Sequence, residues 1–198
     1  MNLNLNPNPN PNPNPNPNPN PEPIDPRAWD GSLSAPVDTD NNGVYEIKNA
    51  AEFAYVIKNG GDGKKYKLTD DIYLNDINKV NWTIGKAVGN YKINSWFDNT
   101  AFEGNINGDG HVIYGLYFKT ANTDIAWGYW GNGLIPRVDV GKSVTITALG
   151  IDNSYVYGVN GASAFVGFAG NNAYTEDTTL LIVCEEGMEE YDEVALKK

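Results

Sequence analysis

Histidine and cysteine, the side chains most often used for base and nucleophile chemistry near neutral pH, each occur once in this 198-residue chain. His111 is its sole histidine and follows Asp109 in the turn-like segment 108–111, so the chemistry it could support is general-base catalysis beside a carboxylate. No serine or metal-ligand set accompanies it in the sequence, and one histidine cannot build a zinc site. We expect a structural histidine and predict no catalytic residue.

Cys184 is the sole cysteine, which excludes an intrachain disulfide and a cysteine-based zinc cluster. It ends the apolar run 180–184, and only His111 could activate it as a nucleophile. We predict that Cys184 is a buried apolar residue.

Carboxylates offer a further chemistry, because glycosidases act through paired acidic side chains. Asp70, Asp71 and Asp139, with Arg137, are the candidates. Nothing in their spacing selects them, and Asp70-Asp71 fits a turn that closes a strand. A glycan-active enzyme is therefore the third alternative for this chain.

The segment 38–43 has the pattern D-x-D-x-N-G, which is typical of the first half of a calcium loop. Asp38, Asp40 and Asn42 would supply oxygen ligands, but the twelfth position holds Asn49 instead of the bidentate Glu. A plain turn at Asn42-Gly43 is the preferred interpretation, and calcium is the alternative cofactor.

Aromatic side chains on a glycine-rich segment form the candidate ligand site, because rings on loops supply contact area at low entropic cost. They are Trp127, Tyr129 and Trp130. The alternative is that Trp127 and Trp130 belong to the core. The same two interpretations apply to Trp82, Trp96 and Phe97.

The net charge is −11, and residues 176–198 carry eight acids against Lys197 and Lys198. An acidic chain without a basic stripe repels phosphate backbones, so we expect no nucleic-acid partner. No apolar run approaches the roughly 20 residues of a membrane-spanning helix, and no secretory signal is visible. Scarce cysteine suits an extracellular or cell-surface protein, with a virion as the alternative.

The chain divides into three predicted parts. Residues 6–21 are eight consecutive Asn-Pro pairs, whose fixed φ angles and missing amide protons prevent helix and sheet. We predict a polyproline-like tether over 1–28, a folded domain over 29–175 and an acidic tail or C-terminal cap over 176–198.

Periodicity predicts one helix and many strands in the folded domain. Asn49 is a helix N-cap with Glu52 at the third helical position, and Phe53, Val56 and Ile57 share one face, so a helix is expected near 49–59. The chain beyond it is strand-like, and the run 178–183 is expected either to pair with the last strand layer or to belong to a continuation of the chain beyond this sequence. The predicted strands are 66–74, 102–108, 112–118, 144–151 and 155–158.

Two segments, 113–118 and 146–151, share the form I-x-x-L-x-(F/I) at a spacing of 33 residues. Such self-similarity favours stacked rungs that bury equivalent apolar side chains against each other.

The order of several segments resembles the N-terminal part of right-handed parallel β-helix regions in bacterial surface proteins of the GLUG and filamentous-adhesin type. These segments are GVYEIKNAAEF (43–53), YKLTDDIYL (66–74), WTIG (82–85), FEGNINGDGHVIYGL (102–116), ALGIDNSYVYG (148–158) and AFVG (164–167). The resemblance implies an all-β fold, namely a short right-handed parallel β-helix whose open end is covered by the helix near 49–59.

The resemblance also implies a non-catalytic, surface-displayed adhesion or binding module for glycans or for a host or partner surface. The alternative is a structural or assembly component of a virion tail or cell envelope. Neither interpretation defines the oligomeric state.

Overall fold

The structure, a computed structural model, describes residues 24–81, 86–87, 96, 100–119, 133–157, 163–169 and 179–183. Within these ranges the chain is mostly strand with one α-helix, which confirms the predicted all-β class. The elements are β1 Val44–Ile47, α1 Ala50–Lys58, a short 3-10 turn Gly61–Gly63, β2 Lys64–Leu68, β3 Ile72–Tyr73, β4 Val80–Asn81, β5 Lys86–Ala87, β6 Gly104–Asn107, β7 Val112–Tyr114, β8 Tyr117–Lys119, β9 Ile135–Val138, β10 Ser143–Thr147, β11 Gly150–Asp152, β12 Tyr155–Tyr157, β13 Val166–Ala169 and β14 Thr179–Val183.

The largest sheet has five strands in the order β1-β2-β6-β10-β14, and every neighbouring pair is parallel. Tyr66, Ile106 and Ile146 stand in register on three adjacent strands, and all three are buried. Alternation along a strand sends every second side chain inward, so this sheet contributes apolar rows to a single core. The pairing of β14 with β10 confirms the prediction for the run 178–183.

Three smaller sheets are also parallel: β3-β7-β11, β8-β12 and β9-β13. The strands β4 and β5 form an antiparallel pair. Ile113 pairs with Ile151, 38 residues later, so the predicted 33-residue repeat is wrong. The sequence pattern had aligned Ile113 with Ile146, which lies in the five-stranded sheet opposite Ile106.

Corners break the predicted strand 66–74 into β2 and β3, because Asp70 and Asp71 lie in the turn between them. Other corners repeat the same backbone shape. Gly115 and Asn153 follow paired strands and both have positive φ, of 73° and 43°. The Asn75 side chain is fully buried beside the first of these corners and donates to the Gly115 carbonyl at 2.8 Å.

The helix α1 confirms the prediction near 49–59. Asn49 Oδ1 accepts from Glu52 N at 3.0 Å, while the Glu52 carboxylate accepts from Lys48 N, one residue before the N-cap. The buried face of α1 includes Phe53, which stacks on Trp96 at 5.9 Å between ring centroids. The helix therefore closes over an aromatic part of the core.

No helix within the described ranges is long and apolar enough to cross a membrane. The Asn-Pro run 6–21 lies outside the described residues, as does the tail beyond Val183.

Candidate functional site

A row of polar side chains on the solvent face of the five-stranded sheet forms the candidate site. Lys65 pairs with Asn105, and Asn105 pairs with Thr145, so the three residues lie side by side on β2, β6 and β10. Their strand neighbours Tyr66 and Ile106 point into the core, which places the row on the opposite face. We call Lys65, Asn105 and Thr145 the polar row.

The polar row has unused hydrogen-bonding capacity. Lys65 and Asn105 are exposed and Thr145 is half-buried. Among the described residues none of the three side chains makes a hydrogen bond or ion pair. An ammonium, an amide and a hydroxyl thus stand on adjacent strands, at the strand spacing of about 4.8 Å, with donors and acceptors available to a ligand.

The next row of outward side chains, two residues further along each strand, makes hydrogen bonds and ion pairs with other side chains of the protein. Glu46 accepts from the Thr39 hydroxyl at 2.6 Å and lies 3.2 Å from Lys48 Nζ. These two partners, Thr39 first, lower the pKa of the Glu46 carboxyl. Lys67 pairs with Asp109 at 2.8 Å. Within the described residues, the polar row therefore differs from the next row in that its side chains have no hydrogen-bond or ion-pair partner.

Stacked tyrosines occupy the outside of two other sheets. Tyr73 stacks on Tyr114 at 5.0 Å between centroids, and the Arg27 guanidinium covers Tyr73 at 4.0 Å. Tyr117 stacks on Tyr155 at 5.7 Å. Rings stacked in this way cover each other's faces, so these pairs stabilise neighbouring strands and are poor platforms for a sugar ring.

The Tyr114 ring lies among acidic groups. Burial first, and then the charge of Asp71, raises the pKa of the Tyr114 hydroxyl. The phenol therefore stays protonated at neutral pH and serves as a neutral outer side chain of its sheet.

The predicted aromatic site, Trp127, Tyr129 and Trp130, lies outside the described residues and stays a prediction. Trp82 and Phe97 lie outside them as well. Trp96 is described and belongs to the core: it is 4% exposed, and its Nε1 donates to the Leu134 carbonyl at 2.8 Å. For Trp96 the core interpretation is confirmed.

The proposed calcium ligands form a closed turn. The Asp38 carboxylate accepts from the backbone N–H groups of Asn42 and Gly43, at 3.1 and 2.9 Å. Asp40 accepts from Asn42 Nδ2, and Asn42 Oδ1 accepts from Val44 N, each at 2.8 Å. These contacts support the plain turn. Calcium at Asp38, Asp40 and Asn42 stays an alternative prediction.

Of the residues considered for catalysis in the sequence, the structure brings His111 and Asp71 together. His111 Nδ1 lies 3.2 Å from Asp71 Oδ1, and the same oxygen accepts from Val112 N at 3.0 Å. The carboxylate that meets His111 is therefore Asp71, and the predicted neighbour Asp109 pairs with Lys67 instead.

Arg137 pairs with Asp139 at 2.7 Å on β9 and the turn that follows it. Asp70 accepts from the backbone of Asp71 within the turn before β3. Cys184 lies outside the described residues. Within them, no group of three or more His, Cys, Asp or Glu side chains is placed to hold a metal ion.

A shallow groove of about 600 Å³ lies between residues 24–27 and the loop 76–79. Its charged groups mainly bind one another. The hydrogen bond from Arg27 lowers the pKa of Asp25, and Asp76 Oδ2 accepts from Asp25 N at 2.8 Å. The hydrogen bond between Asp25 and Asp76 thus holds the first described residues against the loop between β3 and β4.

Comparisons with protein-family models, with curated proteins and with solved structures give no match for this chain. The resemblance to GLUG-type and adhesin-like regions therefore stays a prediction.

Sequence reasoning missed the polar row. Its signal is the alternation K-Y-K, N-I-N and T-I-T at 65–67, 105–107 and 145–147, in which a buried residue separates two polar ones.

Proposed function

We propose that the described strands are coils of a short right-handed parallel β-helix. In four sheets, strands from successive segments of the chain pair in parallel. Ile106 pairs with Ile146 in one sheet and Ile113 pairs with Ile151 in another, so two neighbouring strands of one segment are in register with two neighbouring strands of the next. The matching corners at Gly115 and Asn153 add support. The right-handed sense follows from the preference of parallel crossovers. An experimental structure with left-handed crossovers would contradict this.

On this scaffold, we infer that the chain is a non-catalytic, surface-displayed binding module of the adhesin-like kind, with glycans as ligands. The observation that carries this inference is the polar row, in which Lys65, Asn105 and Thr145 present free hydrogen-bonding groups side by side on adjacent strands. Sugar hydroxyls donate and accept hydrogen bonds, and such groups bind them through direct polar contacts. The Asn-Pro run 6–21 would hold the module away from its anchor.

A glycan-array screen of the full chain tests this function. We expect binding to a subset of glycans, and we expect the triple variant Lys65→Ala/Asn105→Ala/Thr145→Ala to lose it. The matched control is Lys58→Ala/Asn59→Ala/Thr39→Ala, which removes the same side-chain types elsewhere on the surface.

Two results would contradict the proposed site or function. Binding that survives the polar-row variant but disappears on replacing Trp127, Tyr129 and Trp130 by Ala would move the site to the aromatic segment. An array without any binding to the folded chain would favour the alternative, an assembly component of a virion tail or cell envelope.

A further inference from the structure

The turn at Asp38–Gly43 holds an Asn-Gly pair in a reactive arrangement. In an Asn-Gly pair the backbone nitrogen of the glycine can attack the side-chain amide carbon, because glycine has no side chain to hinder the approach. The reaction needs an acceptor for the nitrogen's proton and a donor for the amide oxygen, as in other acyl transfers.

Both groups are present at Asn42-Gly43. The N–H of Gly43, the nucleophile, donates to Asp38 Oδ2 at 2.9 Å. Asn42 Oδ1, which takes up negative charge as the bond forms, accepts from Val44 N at 2.8 Å. The departing nitrogen, Asn42 Nδ2, donates to Asp40 Oδ2 at 2.8 Å.

Two other Asn-Gly pairs in the described residues lack this combination. The N–H of Gly108 donates to the Thr147 carbonyl at 2.7 Å, and that of Gly60 donates to the Ile57 carbonyl at 3.1 Å. A backbone carbonyl is a far weaker base than a carboxylate. Asn107 Oδ1 does accept from Asp109 N at 2.9 Å, so Asn107-Gly108 has the oxyanion donor without the base.

We propose that Asn42 is a site of self-catalysed deamidation, with the Asp38 carboxylate as the general base. Gly43 N loses its proton to Asp38 and bonds to the Asn42 side-chain carbon. The bond from that carbon to Nδ2 then breaks, and ammonia leaves with a proton returned to it, giving a cyclic succinimide. Water opens the ring to aspartate or isoaspartate, so the net change is the uptake of one water and the loss of one ammonia.

The consequence for the fold is local. The product loses the amide that donates to Asp40, and the isoaspartate form also carries an extra backbone carbon in the turn. This turn folds the chain back so that Val37 accepts from Glu46 N, beside the edge strand β1. Conversion of Asn42 therefore weakens the contact between Val37 and β1, which covers the β1 edge of the five-stranded sheet.

Peptide mapping by mass spectrometry during incubation at neutral pH tests the proposal, with the folded chain compared with the same chain in urea. In urea, the Asn-Gly pairs that begin at Asn42, Asn59 and Asn107 have similar surroundings and set the intrinsic rate. We expect Asn42 in the folded chain to convert faster than in urea, and Asn59 and Asn107 to convert more slowly. Slower conversion of Asn42 in the folded chain would overturn the proposal.

Asp38→Asn removes the base and should slow the folded-state reaction by about a hundredfold, at the low edge of what general bases contribute. Asp62→Asn is the control, since it removes the same charge from another exposed turn, where Asp62 pairs with Lys64, and leaves the acceptor of Gly43 N–H in place. Equal slowing by Asp38→Asn and Asp62→Asn, or none by Asp38→Asn, would contradict the assigned role.

Discussion

Ile106 and Ile146 lie directly opposite each other on neighbouring parallel strands, 40 residues apart in the chain, and each is 1% exposed. Their row continues to Tyr66 on the next strand. All three side chains are buried in the single apolar core, so the row ties three neighbouring strands to that core.

Truncating this row should destabilise the whole domain. Ile146→Ala removes buried methyl groups and leaves a cavity, so we expect a loss of about 2–5 kcal/mol in the free energy of unfolding, measured by urea titration. Asn105→Ala, next to the row but on the solvent face, is the control, with an expected change within about 0.5 kcal/mol. Similar losses of unfolding free energy from both variants would contradict the finding that Ile146 points into the core and Asn105 toward solvent.

Gly108 should tolerate no side chain, because two backbones meet there. A Cβ at this position would overlap the Ala148 carbonyl oxygen and the Leu149 backbone. We expect Gly108→Ala to cost about 3 kcal/mol, since backbone cannot repack as side chains do.

Gly110→Ala is the comparison for Gly108. A Cβ at Gly110 meets nothing within 4 Å, and its φ of +85° costs an alanine only about 1–2 kcal/mol. Thermal unfolding of the two variants measures the difference. A larger loss from Gly110→Ala would contradict the close approach of the two backbones.

Tyr66 should make the protein sensitive to alkali. Burial raises the pKa of its hydroxyl above the usual 10.0, and the neutral O–H donates to the Gly61 carbonyl at 2.7 Å. Above pH 10.0 the unfolded chain releases this proton while the folded chain keeps it, so stability is full below that pH and falls above it.

Tyr66→Phe removes this contribution. Urea titrations on both sides of pH 10.0 should show a shallower alkaline loss than in the original chain, on top of a constant loss of about 1 kcal/mol for the hydrogen bond. An unchanged slope in Tyr66→Phe would be inconsistent with a buried neutral phenol.

The sequence predicted local elements well. The helix α1 was predicted because Asn49, Glu52 and Phe53 each carry a local signal, namely the cap, the acidic first turn and the apolar face. The strand runs were predicted too long, since Thr69–Asp71 bends the chain at a corner that hydrophobic alternation does not reveal.

Long-range register was beyond local reasoning. The 33-residue repeat pattern matches Ile113 with Ile146, although the two residues lie in different sheets. Ile113 pairs with Ile151, and Ile146 pairs with Ile106. The polar row depends on that register, because Lys65, Asn105 and Thr145 meet only when the layers align. No single segment therefore indicates the site.

The central claim is that the polar row binds a glycan, and an NMR titration of the labelled chain with a glycan selected on the array tests it most directly. The account predicts saturable shifts of the side-chain and backbone signals of Lys65, Asn105 and Thr145. Shifts that cluster instead at residues 127–130, with the polar row unmoved, would contradict it.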